Sequence, residues 1–166
     1  CVATVLDRLS NQHWEPTERI SWHESDTMIS VGKIVNMIGD FKPDITVLDI
    51  GGMGKPVYDR LIEVKMDIRP FDGGSTDGVD TRQHTNIRSA SYHTTKEWID
   101  NGWLILKRER DGSLVKELEK IWRLYQSNGA KAIEPKVKMK KRLGYSPDEA
   151  DSLNMAIWGA CTQLGK

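Results

Sequence analysis

Apolar positions along this chain recur with two different periods, and the switches between them divide it into strands and helices. Cys1 to Leu9 (CVATVLDRL) is rich in β-branched and apolar residues and predicts a strand. Asn11 to Pro16 predicts a turn. Thr17 to His23 then alternates polar with apolar, which completes a hairpin. Ser25 or Asp26 can cap a helix whose stripe is Met28, Val31, Val35 and Ile38, at three- and four-residue spacing. Ile45 to Leu48 is a short unbroken apolar run, the mark of a strand covered on both faces. It leads into Asp49, Gly51, Gly52 and Gly54. Pro56 suits the first turn of a helix carrying Val57, Leu61 and Ile62 on its inner side.

Asp67 to Phe71 predicts a strand that Pro70 places near an edge or an end. Gly73 to Asn86 is polar and reads as a loop, and a helix is expected from about Ile87 to Asn101, stopped by Gly102. Trp103 to Leu106 predicts another strand, and Leu114 to Trp122 an amphipathic helix. Ser127-Asn128-Gly129, between Tyr125 and Ile133, is a hairpin turn signal. The last helix opens at Ser146-Pro147-Asp148-Glu149, a capping box with proline just inside it. Strands alternating with helices after an initial hairpin predict an α/β layered sheet.

Composition narrows the class. The 166 residues fit one domain, and 38% apolar with 29% charged content is that of a globular chain. No apolar stretch approaches the roughly 20 residues needed to cross a bilayer, and the start shows no signal-peptide pattern, so no membrane partner is expected. Cys1 and Cys161 lie at opposite ends with no partner at metal-ligand spacing. That argues against a zinc site or a disulfide framework and suits a reducing cytoplasm. Net charge is zero, but it is segregated: Lys136 to Arg142 (KVKMKKR) holds no acid.

Three features could carry chemistry. Asp49 stands at the carboxyl end of a buried strand, where open α/β sheets bind ligands, and the glycines after it let a backbone or a phosphate come close. It equally suits a turn or helix cap. The glycine spacing fits neither a phosphate-binding loop nor a dinucleotide fingerprint. Asp148 and Asp151 share one face of the last helix. Asp148 also suits the helix dipole, whereas Asp151 borders the apolar face and needs a partner such as a metal ion. The basic run Lys136 to Arg142 is by itself a solvated face. Beside a carboxylate metal site it supplies what a phosphodiester requires. The four histidines (His13, His23, His84, His93) lack ligand spacing and are expected to be structural or surface residues.

Together these residues resemble the C-terminal nuclease domain of phage large terminases. The resemblance runs from Ile45 onward: Val47 to Gly54 with the helix from Val57 to Leu61, Lys96-Glu97-Trp98 with Gly102-Trp103-Leu104, then Tyr125 to Lys136 and Met139 to Gly144. Ser146 to Leu153, the last acidic motif, is its most specific piece. The resemblance implies one nuclease domain over residues 1–166 with a ribonuclease H-like fold, a central mixed sheet flanked by helices. It implies a metal-dependent endonuclease that cuts concatemeric viral DNA during packaging. Two Mg2+ or Mn2+ ions, about 3.5–4 Å apart, would straddle the scissile phosphate. Asp49 would bridge the ions and Asp151 would hold one, with Asp148 the second choice in that motif. Lys136, Lys138, Lys140, Lys141 and Arg142 would contact double-stranded DNA.

Expected partners are an ATPase motor domain of the same protein, the portal and the small terminase subunit, in the host cell cytoplasm. The family's first catalytic aspartate lies on a strand ahead of the one that starts at Cys1. The expectation is therefore a domain without that first strand, with weakened metal binding and activity and a sheet position open to association. Two other readings compete: a DNA-positioning module of the same fold without turnover, and another ribonuclease H-like nuclease such as a resolvase or transposase.

Overall fold

The amino-terminal hairpin pairs β1 (Val2–Arg8) antiparallel with β2 (Trp14–Ser21) in a computed structural model that describes residues 1–164. The second strand begins earlier than its alternation predicts, because Pro16 is accommodated within it. Val5 faces Glu18 and Leu6 faces Pro16, which leaves Thr17 as the extra residue of a bulge. Bulges are where a sheet tolerates a residue with no N–H to donate. Asp7 lies in β1 and accepts a hydrogen bond from the Thr17 hydroxyl at 2.8 Å.

Asp26 caps α1 (Thr27–Phe41) by accepting from the Met28 N–H. A parallel pair follows, β3 (Val47–Asp49) with β4 (Arg69–Phe71), connected by α2 (Gly54–Glu63). Val57 and Leu61 bury against Val31 and Ile34 of α1. Ile62, expected on that inner side, is instead exposed, since it flanks the stripe that Leu61 occupies.

Asn86 caps α3 (Ile87–Asp100), and the chain leaves it through Gly102 in the left-handed region. The strand expected at Trp103–Leu106 is reduced to a single bridge between Leu104 and Trp14. Helix α4 (Arg108–Leu118) starts well before the expected Leu114 and ends before Trp122. Its start is fixed by Asp111, whose carboxylate accepts the Lys107 N–H at 2.7 Å. The hairpin of β5 (Arg123–Tyr125) and β6 (Lys131–Ile133) turns at Gly129, as its sequence predicts. The basic run, which carries no regular apolar period, forms α5 (Lys136–Leu143), pinned by the fully buried Met139 and closed by a left-handed Gly144.

The last helix, α6 (Asp148–Leu164), organises the molecule. It packs against β1, β3, α3 and α4, with Leu153 and Ile157 fully buried. Each such side chain contributes roughly 1.5–3 kcal/mol. A Cβ at Gly159 would stand 2.7 Å from Val47 Cγ2, so glycine lets the helix lie directly on β3. The expected continuous central sheet is not formed among the described residues. There are three two-stranded ladders, and β1 and β3 share no hydrogen bonds but lie under the same helix. None of the described helices is long and apolar enough to cross a membrane.

Candidate active site

Asp49 is the last residue of β3, and three backbone features fix it. Its Oδ1 accepts the Gly51 N–H at 2.8 Å, and the Ile50 N–H bonds the Phe71 carbonyl at 3.1 Å. A Cβ at Gly54 would come within 1.8 Å of the Asp49 carbonyl oxygen. Only glycine lets α2 begin that close to the strand end. The glycines thus serve the approach of the chain's own backbone. The carboxylate is left 40% exposed, facing a cleft of about 200 Å³.

Asp151 reaches the same cleft from the first turns of α6. Its Oδ1 accepts the Tyr92 hydroxyl at 2.6 Å and Arg88 Nη2 at 3.3 Å, both from α3. Its Oδ2 is buried and receives no aligned hydrogen bond. Lys136 Nζ lies 2.9 Å from that oxygen and 3.8 Å from Asp49 Oδ2. One ammonium at the start of α5 therefore bridges two carboxylates 102 positions apart in the chain. Burial alone would raise the Asp151 pKa, but Lys136, Arg88 and the Tyr92 hydroxyl outweigh it and hold it below the ordinary value. For Lys136 burial pulls downward, yet Asp151 and Asp49 lift it above a free lysine. Tyr92 is raised by burial first and by the adjacent Asp151 charge second.

Two further residues in the cleft escape a reading of the sequence. Asp72 follows β4, whose register sets Phe71 opposite Asp49, and so stands one residue beyond it at the same end of the parallel pair. An acid directly after the neighbouring parallel strand was the available signal. Arg88 enters because Gly73 permits contact: a Cβ there would be 3.3 Å from the Arg88 Cβ. Nothing in the α3 sequence marked Arg88 or Tyr92 as facing an acid.

The other expected site residues are not gathered there. Asp148 does not line the cleft. It lies toward Glu117, whose carboxylate accepts the Ala150 N–H at 2.9 Å and is raised by burial, Glu149 and Asp148. Lys138 lines an adjoining cavity that shares Lys136, Arg88, Gly73 and Gly74 with the cleft. Lys140 and Lys141 are exposed on α5. Arg142 is committed elsewhere, with Nη2 2.5 Å from Glu134 and the guanidinium 3.7 Å over the Trp122 ring. The His84 and His93 rings lie 4.9 Å apart, tilted by 50°, beside Lys131 and outside the residues that line the cleft.

A divalent cation fits this donor set. Asp49 and Asp151 present hard oxygens, one of them buried and without an aligned hydrogen bond, to a position that now attracts a lysine ammonium. No group of three or more ligating side chains occurs among the described residues. Magnesium sites commonly use one or two carboxylates plus substrate phosphates and water, so two suffice for a site completed by substrate.

No protein-family model and no curated protein matches the chain. Solved structures do. A lysine-to-alanine mutant of the nuclease domain of the large terminase subunit gp2 of bacterial virus Sf6, with manganese, superposes with a TM-score of 0.69 at 19% identity, covering 94% of this chain and 87% of that one. The same mutant with calcium gives 0.69 at 18% identity, and the nuclease domain without that mutation 0.65 at 18%. The chain therefore has the fold of a terminase nuclease domain, a mixed α/β ribonuclease H-like fold.

Proposed function

We propose that the chain is the nuclease domain of a large terminase subunit, a metal-dependent endonuclease that cuts viral DNA during packaging. The observation that carries this reading is the meeting of Asp49 and Asp151 around one cationic position, at the carboxyl end of a parallel strand pair. The likeness to terminase nuclease domains, two of them with manganese or calcium, supports it.

Asp49 and Asp151 would hold divalent cations, Mg2+ or Mn2+, through oxygen ligands. When bound, such ions supply an activated water and neutralise developing charge on the phosphate. The protein's own groups do the rest. Lys136, half exposed and held only by the carboxylates, is free to turn to a phosphate oxygen once a cation replaces it. Arg88 fixes the wall of the cleft, and Lys138, Lys140 and Lys141 offer a basic track for the DNA backbone. In the cell the partners would be double-stranded DNA, an ATPase motor domain, the portal and the small subunit, in the host cytoplasm.

The test is plasmid cleavage in Mn2+. Asp49→Ala and Asp151→Ala should each abolish it while the circular dichroism spectrum is retained. Cleavage at the wild-type rate by both variants overturns the assignment. A second reading, a DNA-positioning module without turnover, is favoured by the two-carboxylate donor set. It predicts salt-sensitive DNA binding with no cleavage in any divalent metal.

A further inference from the structure

Asp151 is the less exposed member of the pair, and its two oxygens are used differently. Oδ1 belongs to the fold, where Tyr92 Oη at 2.6 Å and Arg88 Nη2 at 3.3 Å converge on it. Oδ2 faces Lys136 and Asp49. The Tyr92 ring cannot wander, because it is buried in a cluster with Ile133 and Met139, and Arg88 lies 5.1 Å from its centroid. One turn deeper, the α3–α6 seam is locked by Asn154. It accepts the Thr95 hydroxyl at 2.9 Å and donates to the Ser91 hydroxyl at 2.8 Å. A tyrosine has few torsions to freeze, so its hydroxyl is a fixed point against which the carboxylate is aimed.

We infer that Tyr92 is a positioning and specificity-determining residue, which turns Asp151 so that a single oxygen is offered to a divalent cation. This rests on the reading of Asp49 and Asp151 as a metal site. Its consequence is selectivity. Small ions such as Mg2+ demand near-octahedral geometry, to which one oxygen per carboxylate is suited, whereas Ca2+ accepts two oxygens of one carboxylate and irregular surroundings. Holding Oδ1 out of reach disfavours the calcium-type arrangement. Without the hydroxyl, the carboxylate could rotate and present both oxygens.

The experiment is calorimetric binding of Mn2+ and of Ca2+ to the 166-residue chain, with Tyr92→Phe, which keeps the ring and removes only the hydroxyl. Loss of a hydrogen bond behind a ligating group typically costs 10- to 100-fold in metal affinity. Mn2+ affinity should fall by about that factor and Ca2+ affinity by clearly less, narrowing the ratio between them. A general loosening of the site would weaken both alike. Unchanged affinities, or equal losses for both ions, overturn the inference. Asp151→Asn in the same calorimeter keeps the two readings apart. If it abolishes Mn2+ binding while Tyr92→Phe binds like the wild type, the metal site stands and the role of Tyr92 falls. If Asp151→Asn also binds normally, the site itself is wrong and the role of Tyr92 falls with it. Tyr92→Met, of similar bulk and also without a hydroxyl, carries the same test should the phenylalanine variant not fold.

Discussion

Asp111, fully buried, and Asp151, largely so, are both aspartates beside arginines near a helix start, yet one belongs to the scaffold and the other to the cleft. Asp111 spends every lone pair. Oδ1 accepts Arg19 Nη1 at 2.5 Å and Arg110 Nε at 3.0 Å, and Oδ2 accepts the Lys107 N–H at 2.7 Å and Arg110 Nη2 at 2.9 Å. Its arginines are themselves shared, with Glu149 and with Glu15. Asp151 saturates one oxygen and leaves the other to a half-exposed lysine. Burial and an ionic partner therefore do not set Asp151 apart from Asp111. What sets it apart is an oxygen for which the fold supplies no fixed donor.

The widest separation between the two should appear on substitution. Asp111→Ala takes from Arg19 and Arg110 the carboxylate they share and removes the acceptor that starts α4. Breaking a buried pair costs about 3–5 kcal/mol, and the lower end is expected because Glu15 and Glu149 remain. Asp151→Asn should change stability by less than about 1 kcal/mol, since the Tyr92 hydroxyl keeps an acceptor of the same shape, while cleavage in Mn2+ disappears. Urea unfolding of both variants beside a plasmid assay checks this. Comparable destabilisation by the two would erase the distinction.

Acid should probe the scaffold side next. The Asp111 pKa is lowered to about 2: burial would raise it, but the arginines and the Lys107 N–H outweigh that. A group depressed on folding stabilises fully above its unfolded pKa, and that stability is lost as pH falls through the folded value. From 3.8 down to about 2, the loss is about 2 kcal/mol. Urea melts from pH 5 downward should show it in the wild type. In Asp111→Asn that part of the acid limb should be missing.

Much of this contrast was hidden in the sequence for a definite reason. Asp49 and Asp151 were legible because each sits where an element ends or begins: one after an unbroken apolar strand with glycines, the other at the edge of an apolar helical face. Asp111 looked like any acid in a polar stretch, because its partners are a local backbone N–H, its neighbour Arg110 and an arginine 92 residues away. Tyr92 and Arg88 became meaningful only when α3 packed on α6, and that pairing has no signature within either segment. The basic run was visible as charge but not as a helix, since a single buried residue, Met139, holds α5 down. Among the described residues the ladders stay separate for a related reason. Apolar runs identify strands, whereas hydrogen bonding between them depends on neighbours that the runs do not specify.

Lys136 sharpens the site side of the comparison, since it is the one donor shared by both carboxylates of the cleft. Lys136→Met removes a positive charge from the position where a divalent ion would bind. Mn2+ affinity without DNA should therefore rise, by roughly tenfold for one screened charge at this range. Cleavage should nonetheless fall, because the group that would meet the phosphate has gone. Calorimetry and a cleavage time course on the same sample test both halves. Weaker Mn2+ binding in the variant would mean that Lys136 organises the carboxylates instead of competing for them.

The smallest effect separates scaffold from site within α5 itself. Lys138, Lys140 and Lys141 are exposed, whereas Arg142 binds Glu134, stacks on Trp122 and donates to the Lys120 carbonyl at 2.8 Å. Glu134 is buried, and its carbonyl also receives Arg88 Nη1 at 3.1 Å, so Arg142 braces the segment that carries the wall of the cleft. Neutralising one exposed lysine should leave melting unchanged and lower the salt slope of DNA binding by at most about one unit, the share of one phosphate contact. Arg142→Gln should do the reverse. It should lose about 1–3 kcal/mol of stability from the unpaired buried acid and change the salt slope little. Filter binding across a salt series, with thermal melts of the same variants, distinguishes the two. An Arg142 variant that melts normally but loses a full unit of slope would place that residue on the DNA.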